Sequence, residues 1–563
     1  MVQPATPSPR EVLAERVAAV PLARVELACV VLLFIAALLP RLRDISAPFD
    51  RGFDGEQGAF FAIAAVNYER GEAAGAYPVL NLDQPPTAEH RFVYANHPPL
   101  VPLLAWNAAR LLGPQDWSEA WRTGSAPSGI ELPMRLPFLA AQLLALLALW
   151  AAAREAYGVQ VGLLTLGLGA ASSVGIHYAG LVNYENPGLA AALLGVLFGL
   201  RWMRRGKRTD LALAGGATAL GAAVTFTPLA FLPPLWIAAC TTRGPRAASR
   251  YALVTAGCAA VPLVAHHFAA QAVLEGTLNP VASSIYERAR ILLGPLIAGE
   301  PGLFQWFAIQ WRNAASSHGL WIVAFACSAA LLRLVYFAVR RLRAGGSMST
   351  TAPQSDRDLP LFPVLASGAL LALFAFYKHT SEEQWSFQLW WLPAFSLGGA
   401  LVLHAISRPL LALRAGLSPL VVLTLGLALP GLGTLAAWRA RTRGDAALLP
   451  MPSATGHWIA QRVPARSVLL HDEKLGLNLA VGYYAWRTLW PLSAPDNPQG
   501  IQIATALGLG DQPRYWLSPA ADSELERIAP IPAGLGFPGV ADDKWRLWRV
   551  DGSATEDLQE ATR

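Results

Sequence analysis

HPPLVPLLAWNAARLLG, residues 97–113, is the stretch whose reading decides how the chain is threaded. It is apolar but short, opens with two prolines after His97, and carries Asn107 and Arg110. Crossing a bilayer core as a helix takes about 20 apolar residues. Read as a helix lying on the membrane surface or dipping partway in, it leaves the sidedness of later loops unchanged. Read as a span, it inverts all of them. The arginines decide. Arg201, Arg204, Arg205, Lys207 and Arg208 form one basic block, and Arg243, Arg246 and Arg250 a second. Arg340, Arg341 and Arg343 form a third, and Arg408 and Arg414 follow a later apolar run. Positive loops stay cytoplasmic, and all of these do so only if the run 98–113 does not cross.

Working outward, eleven apolar runs read as spans: 25–41, 133–152, 157–179, 187–203, 211–226, 228–241, 251–270, 319–339, 360–377, 387–406 and 416–436. The fold class is therefore a polytopic α-helical membrane protein with about 11 transmembrane helices. Composition agrees. The 563 residues are 54% hydrophobic and only 15% charged, against about 25% charged in ordinary soluble domains. That excludes a disordered chain and argues against a soluble enzyme. The net charge of +6 reflects cytoplasmic arginines rather than a nucleic-acid partner.

The parity assigns regions to sides. Residues 1–24 are a cytoplasmic segment. No small-residue cleavage site follows the first run, so it reads as an uncleaved signal anchor. Residues 25–439 form the transmembrane domain, with long outer loops at 42–132 and 271–318. Residues 440–563 form a small extracytoplasmic α/β domain, with short β-like runs at 468–470 and 545–548 and a helix-like stretch at 475–485. Cys29, Cys240, Cys258 and Cys327 fall in or beside apolar runs without metal-ligand spacing and read as packing residues.

The candidate chemistry sits on the outer side. Phe49-Asp50-Arg51-Gly52-Phe53-Asp54-Gly55-Glu56-Gln57-Gly58 follows the first span, and an amphipathic stretch runs on from Ala59 to Arg70. Asp54 and Glu56 read either as acids in a turn capping that helix or as a general base held at the bilayer surface. Glu185, in Asn183-Tyr184-Glu185-Asn186-Pro187, lies close to the membrane plane because its loop is short. Either Asn183 or Glu185 can cap the following helix, or Glu185 can share catalysis with the first acids. His97 is held rigid by the diproline. Lys378 and His379 end the ninth span on the outer side, against the positive-inside bias, where a cation suits a lipid phosphate. Arg288 and Arg290 in the second long loop are further phosphate candidates. Arg135, opening the second span, reads as an interface anchor. His266-His267 has no third ligand nearby, so no metal site is expected.

The order of these pieces resembles the GT-C superfamily of membrane glycosyltransferases, in particular the protein O-mannosyltransferase and aminoarabinose-transferase branch. Four pieces over roughly residues 25–410 carry the resemblance: the acids Asp54 and Glu56 after the first span; His97-Pro98-Pro99-Leu100 before a juxtamembrane helix; Met134-Arg135-Leu136-Pro137 opening the next span; and Glu185 at the place of the second-loop acid. Gly55 separates acids that are commonly adjacent in the family, and the second-loop acid is more often Asp, so the choice between Asp54 and Glu56 stays open.

The resemblance implies transfer of a sugar from a polyprenyl-phosphate donor to an acceptor, whether protein, lipid or glycan, on the extracytoplasmic face; the Arg- and Ala-rich composition points to a bacterial inner membrane. It implies Asp54 or Glu56 as base, with Glu185 as orienter or sharing that role. His97, Lys378, His379, Arg288 and Arg290 would hold the phosphate, with no metal and no cofactor beyond the donor lipid. The competing readings are a polyprenyl-lipid flippase and a non-catalytic assembly protein on the same fold. A flippase more often shows repeats and mid-membrane ionisable residues.

Overall fold

A computed structural model describes residues 22–43, 45–49, 52–80, 93–117, 126–274, 302–318, 360–374, 385–412, 452–464, 467–472, 479–492, 514–518, 526–530 and 546–550. The helices begin with α1 (Leu22–Leu42), α2 (Gly52–Glu69), α3 (Leu100–Leu112), α4 (Glu131–Tyr157), α5 (Val159–Ala171), α6 (Ser173–His177) and α7 (Glu185–Arg205). There follow α8 (Arg208–Val224), α9 (Leu232–Arg243), α10 (Pro245–Val273), α11 (Gly302–His318), α12 (Leu361–Phe374) and α13 (Leu392–Ala412). Short 3₁₀ turns at Thr227–Phe231 and Trp385–Trp391 lead into α9 and α13. Four described helices (α1, α4, α7 and α10) are long and apolar enough to cross a membrane, and the chain is an integral membrane protein. The expected runs 319–339 and 416–436 lie outside the described residues.

The bundle has two ends of opposite character. At one end, α4, α7 and α9 stop at Gly158, Gly206 and Gly244, and the next helix begins within two residues. Gly206 takes the left-handed conformation (φ 71°) that closes a helix without a Cβ penalty. Arginines gather here. Arg201, Arg204 and Arg205 converge on the Glu155 carboxylate at 3.8, 3.3 and 2.8 Å. Arg154 pairs with Glu26, and the Arg243 Nε donates to the Met203 carbonyl at 2.6 Å. The basic blocks at 201–208 and 243–250 thus share one end of the bundle, as the sequence parity requires.

α3 behaves as its composition asks. Its 13 residues reach about 20 Å at 1.5 Å per residue, well short of a hydrocarbon core of about 30 Å. Val101, Ala105 and Ala109 are buried against α2 and α4. Leu111 and Leu112 face outward. Trp106 Nε1 donates to Glu69 at 2.8 Å, tying α3 to the end of α2.

The run 157–179 is not one helix. It breaks at Ser172, whose hydroxyl accepts from the Gly175 amide and caps α6. The break leaves carbonyls at the end of α5, and Arg41 from α1 takes them. Its guanidinium donates to Ala170 O at 2.9 Å, Gly169 O at 3.4 Å, Ala37 O at 2.8 Å and Gln142 Oε1 at 2.8 Å. Gln142 in turn donates to Gly175 O at 2.6 Å. A cation at a helix C-terminus is favoured by the dipole, and here it is buried and shared among four acceptors. Arg41→Leu strands several of them, at about 1–3 kcal/mol each before relaxation. We expect a thermal midpoint in detergent lowered by several degrees; an unchanged midpoint would show that the break holds without Arg41.

The stretch 271–318, expected as a loop, contains α11. His318 at its end reaches Ser172 through Nδ1 (3.2 Å) and the Gln388 carbonyl through Nε2 (2.9 Å). The C-terminal region holds α14 (Pro452–Ala460), α15 (Leu479–Ala485) and a five-stranded mixed sheet. The strands are β1 (Val468–Asp472), β2 (Thr488–Leu492), β3 (Arg514–Ser518), β4 (Glu526–Pro530) and β5 (Arg546–Val550). The sheet order is β2-β1-β3-β5-β4. β1 is parallel to both β2 and β3, while β5 is antiparallel to β3 and β4. Parallel neighbours need a crossover, and α15 lies in the one from β1 to β2. α15 packs on α2, which puts this region at the bundle end away from the arginine turns.

Candidate active site

The acidic motif is not a turn ahead of the helix, as its glycines suggested. α2 begins at Gly52, so positions 54 and 56 both lie in its first two turns. A helix N-terminus favours carboxylates there. Helical geometry then separates the two acids. At 100° per residue, positions i and i+2 stand about 200° apart around the axis. Position 54 shares a face with Phe61, and position 56 shares one with Phe60. These faces meet different neighbours. The Phe61 ring lies 5.5 Å from Tyr184, the residue before Glu185. The Phe60 ring lies 4.7 Å from Tyr94.

Glu185 occupies the first turn of α7 and is buried. The cap it might have supplied is made by Asn183, whose Oδ1 accepts from the Asn186 amide at 3.0 Å. Asn186 Nδ2 donates to Tyr178 O at 2.7 Å, which fixes the loop from its other side. Pro187 sits where the helix has no use for its missing amide hydrogen. Burial, then Tyr94, Tyr68 and the Glu185 charge, push the Tyr184 phenol well above its ordinary range. Tyr184 is therefore neutral at physiological pH and a hydrogen-bond donor rather than a base.

His97 packs among aromatic rings. Its ring is 4.3 Å from Tyr184, 6.2 Å from Tyr94 and 6.1 Å from Phe226. The diproline that follows it starts α3. The structure thus brings α2, the His97 loop and the Glu185 loop to one end of the bundle, opposite the arginine turns. Lys378, His379, Arg288 and Arg290 lie outside the described residues.

Three groups here were not singled out as parts of the site. Phe226 continues the ring cluster to His266, 6.0 Å away. Tyr77 Oη is 2.6 Å from His266 Nδ1 and 3.0 Å from the His266 carbonyl. That pairing pins the first long loop to α10. Glu131, buried at the start of α4, accepts from the Tyr484 hydroxyl; its place four residues before Arg135 was the available signal.

Arg135 is more than an interface anchor. It is buried, and its guanidinium donates to the carbonyls of Ile45 (2.9 Å), Ala47 and Pro48 (3.3 Å). Its Cζ also lies 4.8 Å from the Phe49 ring centroid, a cation–π distance. It holds the segment that leads from α1 into α2.

Residues 128–269 match the dolichyl-phosphate-mannose-protein mannosyltransferase family. No curated protein matches the chain in sequence. Among solved structures, the fold is similar to ArnT from Cupriavidus metallidurans bound to undecaprenyl phosphate, at TM-score 0.60 and 14% identity over 92% of this chain and 97% of that one. It is also similar to the oligosaccharyltransferase of Archaeoglobus fulgidus in the apo form, at TM-score 0.55 and 12% identity over 88% of this chain and 69% of that one. Archaeal AglB from the same organism, in complex with an inhibitory peptide and a dolichol-phosphate, matches with the same figures. These findings support the GT-C resemblance that the four motifs carry.

Proposed function

We propose that the chain is a membrane glycosyltransferase moving a sugar from a polyprenyl-phosphate donor to an acceptor on the extracytoplasmic face of a bacterial inner membrane. The observation that carries this reading is the meeting of α2 with the Glu185 loop beside His97, at the bundle end opposite the arginine turns. ArnT is bound to undecaprenyl phosphate and AglB to a dolichol-phosphate; a lipid donor of that kind delivers its sugar at headgroup depth, where these acids would sit.

The acceptor hydroxyl gives its proton to a carboxylate, and its oxygen attacks the anomeric carbon. The bond from that carbon to the phosphate oxygen breaks, and its electron pair leaves with the polyprenyl phosphate. That phosphate is already a stable anion, so the chain's task is a base and an anion cradle. Position 54 lies on the α2 face that meets the Glu185 loop, which favours Asp54 over Glu56 as the base. Glu185 orients the acceptor. His97, Lys378, His379, Arg288 and Arg290 are assigned to the phosphate. We assign no metal and no further cofactor, and transfer is expected to continue in EDTA.

The test is release of polyprenyl phosphate from an undecaprenyl-phosphate sugar by purified protein in nanodiscs, with cell-envelope extract as acceptor. Sugar transfer supports the reading. Movement of intact donor across the bilayer without transfer would replace it with a flippase, and neither activity would leave an assembly role. Glu185→Gln keeps the size and removes the charge; transfer is expected to fall about 10–100-fold, an orienting residue contributing less than the 10²–10⁴ of a general base.

A further inference from the structure

The C-terminal region reaches into the floor of this site through one short helix. Tyr483 and Tyr484 of α15 are both buried. The Tyr484 hydroxyl oxygen accepts from the Phe49 amide at 2.5 Å, and its proton goes to Glu131 Oε1 at 3.3 Å. Tyr483 donates to the Pro127 carbonyl at 3.0 Å, and its ring meets the Phe49 ring edge-on at 6.1 Å. These partners are 353–435 residues away in sequence.

α15 is itself pinned. Trp486, directly after it, is buried and held at φ 49°, a conformation uncommon outside glycine. The buried Arg487 stabilises that turn by donating to the carbonyls of Ala485, Trp486 and Val463. The helix, its closing turn and the Val463 turn after α14 therefore present the two tyrosines as a fixed surface.

Phe49 passes the constraint on. Its ring lies against Gly58, where a Cβ would collide with ring carbon Cδ1. Gly58 is one helical turn beyond Asp54, on nearly the same face. So Tyr484 holds the Phe49 backbone, Phe49 seats on Gly58, and Gly58 belongs to the turn next to the acids. Glu131 ties the same hydroxyl to α4, four residues before Arg135, which holds the carbonyls of residues 45, 47 and 48.

We infer that Tyr484 is a positioning residue, through which the C-terminal region sets the placement of the acidic first turns of α2. The catalytic part of this inference rests on the proposed function; the mechanical part does not. It gives the region a role inside the site.

The experiment uses the full chain in nanodiscs, as wild type and as Tyr484→Phe, which keeps the ring and loses both hydrogen bonds. Gly58→Ala displaces Phe49 from the other side and serves as a second variant should the first fail to fold. Hydrogen exchange is read over 45–60, and transfer kinetics are read in parallel. We expect exchange over 45–60 to rise about tenfold, the α4 and α7 peptides to stay unchanged, and kcat to fall about 10–50-fold with the donor KM within twofold. Unchanged exchange over 45–60 in the folded variants overturns the inference. So does faster exchange with full kcat, when an Asp54→Asn control is inactive. If the Asp54→Asn control is itself fully active, the functional reading fails, while the exchange result still tests the linkage.

Discussion

Asp54→Asn is expected to lower the rate of sugar transfer by about 10²–10⁴-fold, the range for losing a general base, while Glu56→Gln stays within about fivefold. The asymmetry comes from helix geometry. Both acids stand in one helix, so the i, i+2 spacing turns them about 200° apart, and the face of position 54 is the one that runs toward Tyr184 and the Glu185 loop. Phe61, within about 20° of position 54 around the axis, meets Tyr184; Phe60, on the side of position 56, meets Tyr94. Single-turnover release of polyprenyl phosphate isolates the chemical step from product loss. Each substitution also removes a favourable charge near a helix N-terminus, worth about 0.3–1 kcal/mol, so neither variant should unfold. A loss confined to Glu56→Gln would mean that the opposite face carries the base. Full activity in both would remove the acidic motif from the mechanism.

Much of this arrangement was legible in the chain, for reasons that mark the boundary of sequence reading. Apolar run length and arginine placement are local, and they located α1, α4, α7 and α10 and the shared end of the basic blocks at 201–208 and 243–250. The short helix in the run 98–113 was legible because its shortness and its prolines are local too. What depends on neighbours was not. Asp54 and Glu56 read as a turn ahead of a helix, yet the helix already begins at Gly52. The run 157–179 looked continuous, and its interruption at Ser172 is held by partners distant in sequence, Arg41 more than 120 residues earlier and His318 more than 140 later. Asn183 and Glu185 were equal candidates for a cap, and the Asn186 amide chose Asn183. The contribution of Tyr484 was invisible because no periodicity joins residues 435 positions apart.

Arg135 yields the other large effect, and it separates an anchor from a clamp. An interfacial anchor tolerates lysine, because a snorkelling ammonium serves the same end. A clamp does not: the planar guanidinium reaches several acceptors at once, while lysine offers a compact point charge. Arg135 meets three backbone carbonyls and the face of Phe49. Arg135→Ala strands those carbonyls where the side chain was buried, at about 1–3 kcal/mol for each one that cannot relax toward water. A thermal midpoint lowered by many degrees, or failure to accumulate, is expected. Arg135→Lys should fold and yet lose about 10–100-fold in transfer rate, because segment 45–49 is loosened and α2 follows it, the cost of a misplaced catalytic group being of that order. The same segment is also held by Tyr484, through the Phe49 amide, so the two effects should not add. Groups sharing one partner couple by about 0.5–3 kcal/mol, and Arg135→Lys with Tyr484→Phe should lose little more activity than the worse single variant. Strict additivity would mean two independent supports rather than one clamped segment, and full activity of Arg135→Lys would return Arg135 to the interface role that its position alone suggested.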